Sequence, residues 1–302
     1  MQLVMLSGGV GGARMARGLA AIPGAKVTVV VNTGDDDLIH GLHVSADLDT
    51  VIYTLAGEQG PHGWGRSKET WRAMDELSRF PDADTSFRLG DVDLAVNLYR
   101  TGRLASGHRL SDITADICSG FGISTPVLPA TDDPVRTMVA TPDGELDFQT
   151  YFVRRRHADE VIGIRFAGAD QARPAPGVLD ALHTADAVVI APSNPVLSIW
   201  PILAVPGVGE AVSAVGTVVA VSPLISGRAI KGPAAEAMRG VGLTNDLTGI
   251  VEAYGGVVSH LVIDTAETTA PPTSVSVLRT DTMIAEPEAA TALAQEILTW
   301  LA

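Results

Sequence analysis

The chain is short of cysteine, of positive charge and of long apolar runs, and each shortage excludes something. Cys118 is the only cysteine among 302 residues. That rules out an intrachain disulfide and a cysteine zinc cluster, and suits a reducing cytoplasm. Lys and Arg number 21 against 35 Asp and Glu, a net charge of −14. So acidic a surface repels phosphate backbones and anionic lipid, which argues against nucleic-acid and membrane partners. No apolar run approaches the roughly 18 to 20 residues that span a bilayer. The longest, Ile199 to Val208, is broken by Pro201, Pro206 and Gly207. No Lys or Arg precedes the first apolar run, Leu3 to Leu6, and glycines follow at once, so no secretory pattern is expected.

What the chain does have is apolar content, 46% of its residues, enough to bury a sizeable core. Gln2 to Leu6 reads as a buried strand, followed by a glycine loop and a helix to about Ile22, stopped by Pro23-Gly24. Lys26 to Asn32 is a second strand. Strand, loop, helix, strand favours a parallel sheet with a right-handed crossover. The rhythm returns late, with strands at Ala187 to Ala191, Thr217 to Val221 and His260 to Ile263 and a terminal helix from Glu286 to Leu301. The middle is more polar, with helical stretches near 67–79 and 91–103 and a hairpin from Met138 to Phe152 turning at Pro142-Asp143-Gly144. The expected fold is therefore α/β: a Rossmann-like three-layer core with a mainly parallel sheet. Residues 1–54 and 181–302 would form that core, and 55–180 an inserted substrate-binding region over the ligand edge.

Chemistry gathers at a few places. Gly8, Gly9, Gly11 and Gly12 follow a strand and open a helix, the context of a phosphate-binding loop. A G-x-G-x-x-G reading puts Arg14 at the third glycine, and the G-K-[S/T] of a Walker A loop is absent. Asp35, Asp36 and Asp37 follow the second strand, where acids suit either a solvated turn or a hard cation such as Mg²⁺. Asp47 and Asp49 share a face if extended and with Asp35 could complete a metal or base site, or they stand at a helix start as capping acids. His40 and His43 lie nearby but lack a third zinc ligand. Arg88, beside Gly90, can fork onto a phosphate or ring carbonyl, and the indoles of Trp64 and Trp71 can stack on a flat heterocycle or pack in the core. Ser193 and Asn194 follow a late strand, and Arg228 and Lys231 bring positive charge to the same edge.

Together these motifs resemble the 2-phospho-L-lactate transferase family, which builds the side chain of coenzyme F-420. The resemblance runs through Ser7 to Arg14, Asn32 to Asp36, Asp47 to Thr50, Tyr53 to Leu55, Gly63 to Gly65 and Glu69 to Trp71. It continues at Leu89 to Asp93, Gly168 to Asp170 and Ala191 to Val196. It implies a Mg²⁺-dependent transferase, usually a homodimer, moving a phospholactyl or enolpyruvyl-phosphate group from a guanosine diphosphate-linked donor to the deazaflavin alcohol Fo, with release of GMP. By likeness Asp49 and Arg88 contact Fo and Asp35 holds the metal; Trp64 is expected to stack on Fo, and Asp49 to share in metal binding and, with Asp35, catalysis. Gly8, Gly9, Gly11, Gly12, Ser193, Asn194 and Lys231 face the donor's phosphates and guanosine. Ala46 departs from the proline that usually precedes the Asp-x-Asp-Thr motif. Two rival classes are a nicotinamide-dependent oxidoreductase, against which Arg14 argues, and a non-catalytic nucleotide-binding regulator.

Overall fold

A computed structural model describes residues 1–229 and 233–302. Its main sheet has seven strands: β1 (Gln2–Ser7), β2 (Lys26–Val31), β3 (Val127–Pro129), β4 (Ala187–Ile190), β5 (Val218–Val221), β6 (His260–Asp264) and β7 (Ser276–Thr280). Their spatial order is 3-2-1-4-5-6-7, and every neighbouring pair is parallel. This is the doubly wound Rossmann order with one strand added, and its switch point lies between β1 and β4. The inner strands are apolar on both faces because helices cover both. Val4 and Leu6 of β1 enter one core cluster and Leu3 and Met5 the other.

On the second of these faces pack α1 (Gly9–Ala20), α2 (Ala46–Leu55), α3 (Asp93–Ala105), α4 (Leu110–Gly120) and, at the chain's end, α5 (Pro287–Leu301). α1 lies between α2 and α5. Its Gly18 faces the Ala290 carbonyl so closely that a Cβ there would collide with it. The opposite face is covered by short helices, including Val208–Ala214, Ala234–Gly240 and Leu247–Ala253. Among the described residues no single helix is long and apolar enough to cross a membrane.

The expected strands, the terminal helix and the three-layer core all appear, but the middle of the chain is more deeply built in than its polarity suggests. The range 55–180 contributes β3, the sheet's edge strand, and α4 behind it. β3 is only three residues long, too short for a periodic signal to show. The hairpin forms as Arg136–Thr141 against Gly144–Asp147, with Gly163–Ala167 as a third antiparallel strand. Past Asp147 the chain turns into a helical segment, Thr150–Arg154, rather than continuing as strand. The helix expected near 67–79 shrinks to Arg72–Leu77, because Lys68 sits at φ +60° and Glu69 to Trp71 form a loop.

The packing of Gly18 gives a prediction. Alanine in an open helix interior would be favoured by about 1 kcal/mol, but here the collision with the Ala290 carbonyl decides the sign. Gly18→Ala is expected to destabilise the fold by roughly 1–3 kcal/mol, read as a lower urea midpoint. A midpoint at or above that of the parent would show that the α1–α5 contact is not close.

Candidate active site

The loops that follow β1, β2, β4, β5 and β7 converge at the carboxyl ends of the strands, around a cavity of about 870 Å³. Ligands of open α/β sheets bind in that crevice. Gly8, Gly9, Gly11, Asp35, Asp49, Trp64, Arg88, Ser193 and Asn194 all line it. Gly12 sits just behind, and Lys231 lies outside the described residues.

The glycine loop is shaped largely by packing. A Cβ on Gly8 would lie 2.6 Å from the Cβ of Ser198 and 2.7 Å from Asp47 Oδ2. On Gly11 it would strike the Pro192 carbonyl, and on Gly12 the Ser7 hydroxyl. Gly9 is different: its φ is +64°, and the space where a side chain would stand is open. The backbone is therefore bare toward the cavity at Gly9, at the start of α1. Ser193 ties the two switch-point loops together, its Oγ donating to the Gly8 carbonyl (2.6 Å) and accepting from the Gly8 N–H (3.2 Å). Asn194 turns inward to its own chain, its Oδ1 accepting from the N–H groups of Val196 and Leu197.

The acids resolve into two groups, and helical phase separates them. Asp47 and Asp49 lie in the first turn of α2, so residues two apart project roughly 200° from one another; the extended arrangement is not adopted. Asp47 faces the glycine loop, its Oδ1 accepting from the Gly9 N–H at 2.7 Å. The buried Asn32 amide donates to Asp35 Oδ2 (3.1 Å) and to Asp47 Oδ2 (3.0 Å), holding the two carboxylates side by side. Both residues are 7% exposed, and Asp35 Oδ1 is buried without a hydrogen-bond partner among the described residues. Burial, then the neighbouring Asp47 charge, raises the Asp35 carboxyl well above its ordinary value. Burial likewise pushes Asp47 up to about 6.

Asp49 instead faces α3. Both its oxygens meet the guanidinium of Arg100, which is 1% exposed. Burial raises the Asp49 carboxyl and Arg100 pulls it back. Arg100 also bonds Asn97 Oδ1 (2.9 Å) and the His43 carbonyl (3.3 Å). Next to it the Tyr53 hydroxyl donates to Asp93 Oδ1 at 2.6 Å, and burial pushes Asp93 up to about 6. Asp36 sits behind, accepting from the Ser45 hydroxyl (2.6 Å) and facing His43 Nε2 at 3.1 Å. Arg88 stands at the rim, bonded to Asp75 (2.5 Å) and stacked on the Trp71 ring 5.3 Å away.

Sequence spacing gives no role to Asn32 or Arg100, and it groups Asp47 with Asp49 and Asp35. The signal for Asp47 was its place at the start of a helix, which turns it away from Asp49. Arg100, 51 residues from its partner, leaves no local signal at all.

Among the described residues no group of three His, Cys, Asp or Glu side chains is placed to hold a metal ion. Mg²⁺ asks for less: one or two carboxylates, with waters and substrate phosphates completing the octahedron. Two adjacent buried carboxylates, one with an unpartnered oxygen, fit that requirement.

The chain is similar to known proteins over almost its whole length. The family model for 2-phospho-L-lactate transferase CofD matches residues 3–293. A phosphoenolpyruvate transferase from Streptomyces griseus is 42% identical over 275 residues, covering 88% of this chain and 86% of that one. A 2-phospho-L-lactate transferase from Methanopyrus kandleri is 40% identical over 303 residues, covering 99% and 97%. The crystal structure of protein BH3568 from Bacillus halodurans shares the fold, with a TM-score of 0.69 at 18% identity, covering 98% of this chain and 99% of that one.

The raised carboxyls set the sign of a pH effect. Asp35, Asp47 and Asp93 bind protons more tightly folded than unfolded, so their contribution is complete below about pH 4 and is lost as pH rises through the folded values, near 6 for Asp47 and Asp93. With EDTA present, unfolding free energy is expected to fall between pH 5 and 7, by about 1.4 kcal/mol per pH unit for each extra proton held. Asp47→Asn should flatten that slope. A urea-denaturation series that is level, or rises, over this range would contradict the assignment.

Proposed function

The chain belongs to the 2-phospho-L-lactate transferase CofD family, and on that premise we propose the full reaction. It moves a phospholactyl or enolpyruvyl-phosphate group from a guanosine diphosphate-linked donor to the deazaflavin Fo, releases GMP, and so serves coenzyme F-420 assembly. Family membership supports enzymatic phospho-group transfer and sets this reading above a nicotinamide-dependent one. The reading includes a cytoplasmic homodimer that uses Mg²⁺. The observation that carries it is the Asp35–Asn32–Asp47 arrangement beside the bare backbone of Gly9.

The terminal ribityl hydroxyl of Fo attacks the donor phosphorus that bears the organic acid. A new P–O bond forms, the bond to the GMP phosphate breaks, and the hydroxyl proton passes to water. Asp35 and Asp47 would hold Mg²⁺, which when bound supplies positive charge against the diphosphate. Asn32 keeps the two carboxylates in register, so neither must be reoriented when the donor arrives. The start of α1 beyond Gly9, whose own N–H is held by Asp47 Oδ1, receives donor phosphate. Arg100 pairs with Asp49 and fixes it, and each oxygen retains a lone pair, so Asp49 orients the incoming hydroxyl. Trp64, Trp71 and Arg88 form the wall for the flat ring system.

Asp35→Asn tests this directly. The variant should fold, while product formation from Fo, Mg²⁺ and each candidate donor drops by roughly 100-fold or more, the scale of losing one preorganised electrostatic partner. Mass spectrometry of the products reads both the rate and the acid transferred. Undiminished turnover by this variant would refute the role of the pair.

A further inference from the structure

The cavity is acidic on one side only. Asp47, Asp49 and Tyr53 come from α2, with Glu69 and Asp93 beyond them. The opposite wall, Thr282 to Ala285, leads into α5 and carries no charge. An anionic donor entering such a space needs a cation on that second side.

Arg14 stands there. It lies on α1 one turn before Arg17 and Gly18, and those two face α5: Gly18 meets Ala290, and Arg17 feels Glu286 and Glu288. Of the three arginines that line the cavity, Arg66 is neutralised by Glu58 and Arg88 by Asp75. Arg14 has neither a carboxylate nor a hydrogen-bond partner among the described residues. Twelve other arginines do have a carboxylate, so acid is not scarce. Arg17 adds to the imbalance, with its Nε and Nη2 buried and unpartnered among the described residues. Burial and the neighbouring Arg14 charge hold the Arg17 guanidinium below its usual value. Two like charges on successive turns of one helix repel each other, and a bound anion would relieve that repulsion.

We infer that Arg14 binds the diphosphate of the donor nucleotide, gripping it from the α5 side while the Asp35–Asp47 pair lies on the other. The inference rests on the proposed function, because it takes the guanosine diphosphate-type donor from there. The diphosphate is favoured over a more distant donor group because Arg14 lies little more than one helical turn from the open backbone at Gly9. A guanidinium fork can take two phosphate oxygens at once, which a lysine ammonium cannot.

Calorimetric titration of GDP, with Mg²⁺, into the full chain and its variants tests this. Arg14→Gln is expected to weaken GDP binding tenfold or more and to leave the weak binding of guanosine alone unchanged. Arg14→Lys should fall between Arg14→Gln and the parent, and the salt dependence of GDP binding should be shallower in Arg14→Gln. Circular dichroism melts of the variants should match the parent. Equal GDP affinity in the parent and Arg14→Gln overturns this inference and leaves the proposed function standing. No GDP binding by the parent overturns the nucleotide donor itself, and this inference with it.

Discussion

Two carboxylates held side by side out of water are the constraint around which this site is built. Asp35 and Asp47 are both buried, and a single amide, that of Asn32, touches both. Ionised together and left alone, such a pair is unfavourable, since burial and mutual repulsion both oppose charge. The fold keeps them there through elements that have other work: β2 delivers Asn32 and Asp35, α2 delivers Asp47, and the turn into α1 supplies the Gly9 N–H. An acid pair of this kind, close to the carboxyl ends of a parallel sheet, fits the proposed divalent cation and the phosphates it would bring.

The rest of the cavity follows from charge. A chain with a net charge of −14 must still admit an anionic donor. Asp49 is paired with the deeply buried Arg100, no side chain covers the backbone at Gly9, and Arg14 has no carboxylate partner among the described residues. The segment rich in Trp and Gly between α2 and α3 closes the other end. Glu69 fixes that closure by accepting from the N–H groups of Val92 and Asp93, and Gly90 is bare of a side chain because Glu69 occupies the space.

Much of the fold was legible because strands buried on both faces are uninterrupted apolar runs, as at Ala187–Ile190, and because the terminal helix carries a clean apolar stripe. The three-residue edge strand Val127–Pro129 was not, since pairing rather than pattern makes it a strand. At the site, the glycine loop and Asp35 were visible as local motifs, but the reason for the glycines was not. Gly8, Gly11 and Gly12 answer to Ser198, Pro192, Ser7 and Ser193, most of them far along the chain. The division of labour between Asp47 and Asp49 depended on the phase of a short helix and on an arginine 51 residues away. Long-range partners of this kind leave no trace in spacing.

The proposed function turns on a divalent cation held between Asp35 and Asp47. Crystals of the protein soaked with Mn²⁺ and GDP, measured at the manganese absorption edge, locate the ion without reference to activity. The account predicts an anomalous peak within bonding distance of both Asp35 and Asp47, on the cavity side of Asn32. A peak confined to the Asp49 side, or none near Asn32, would contradict it.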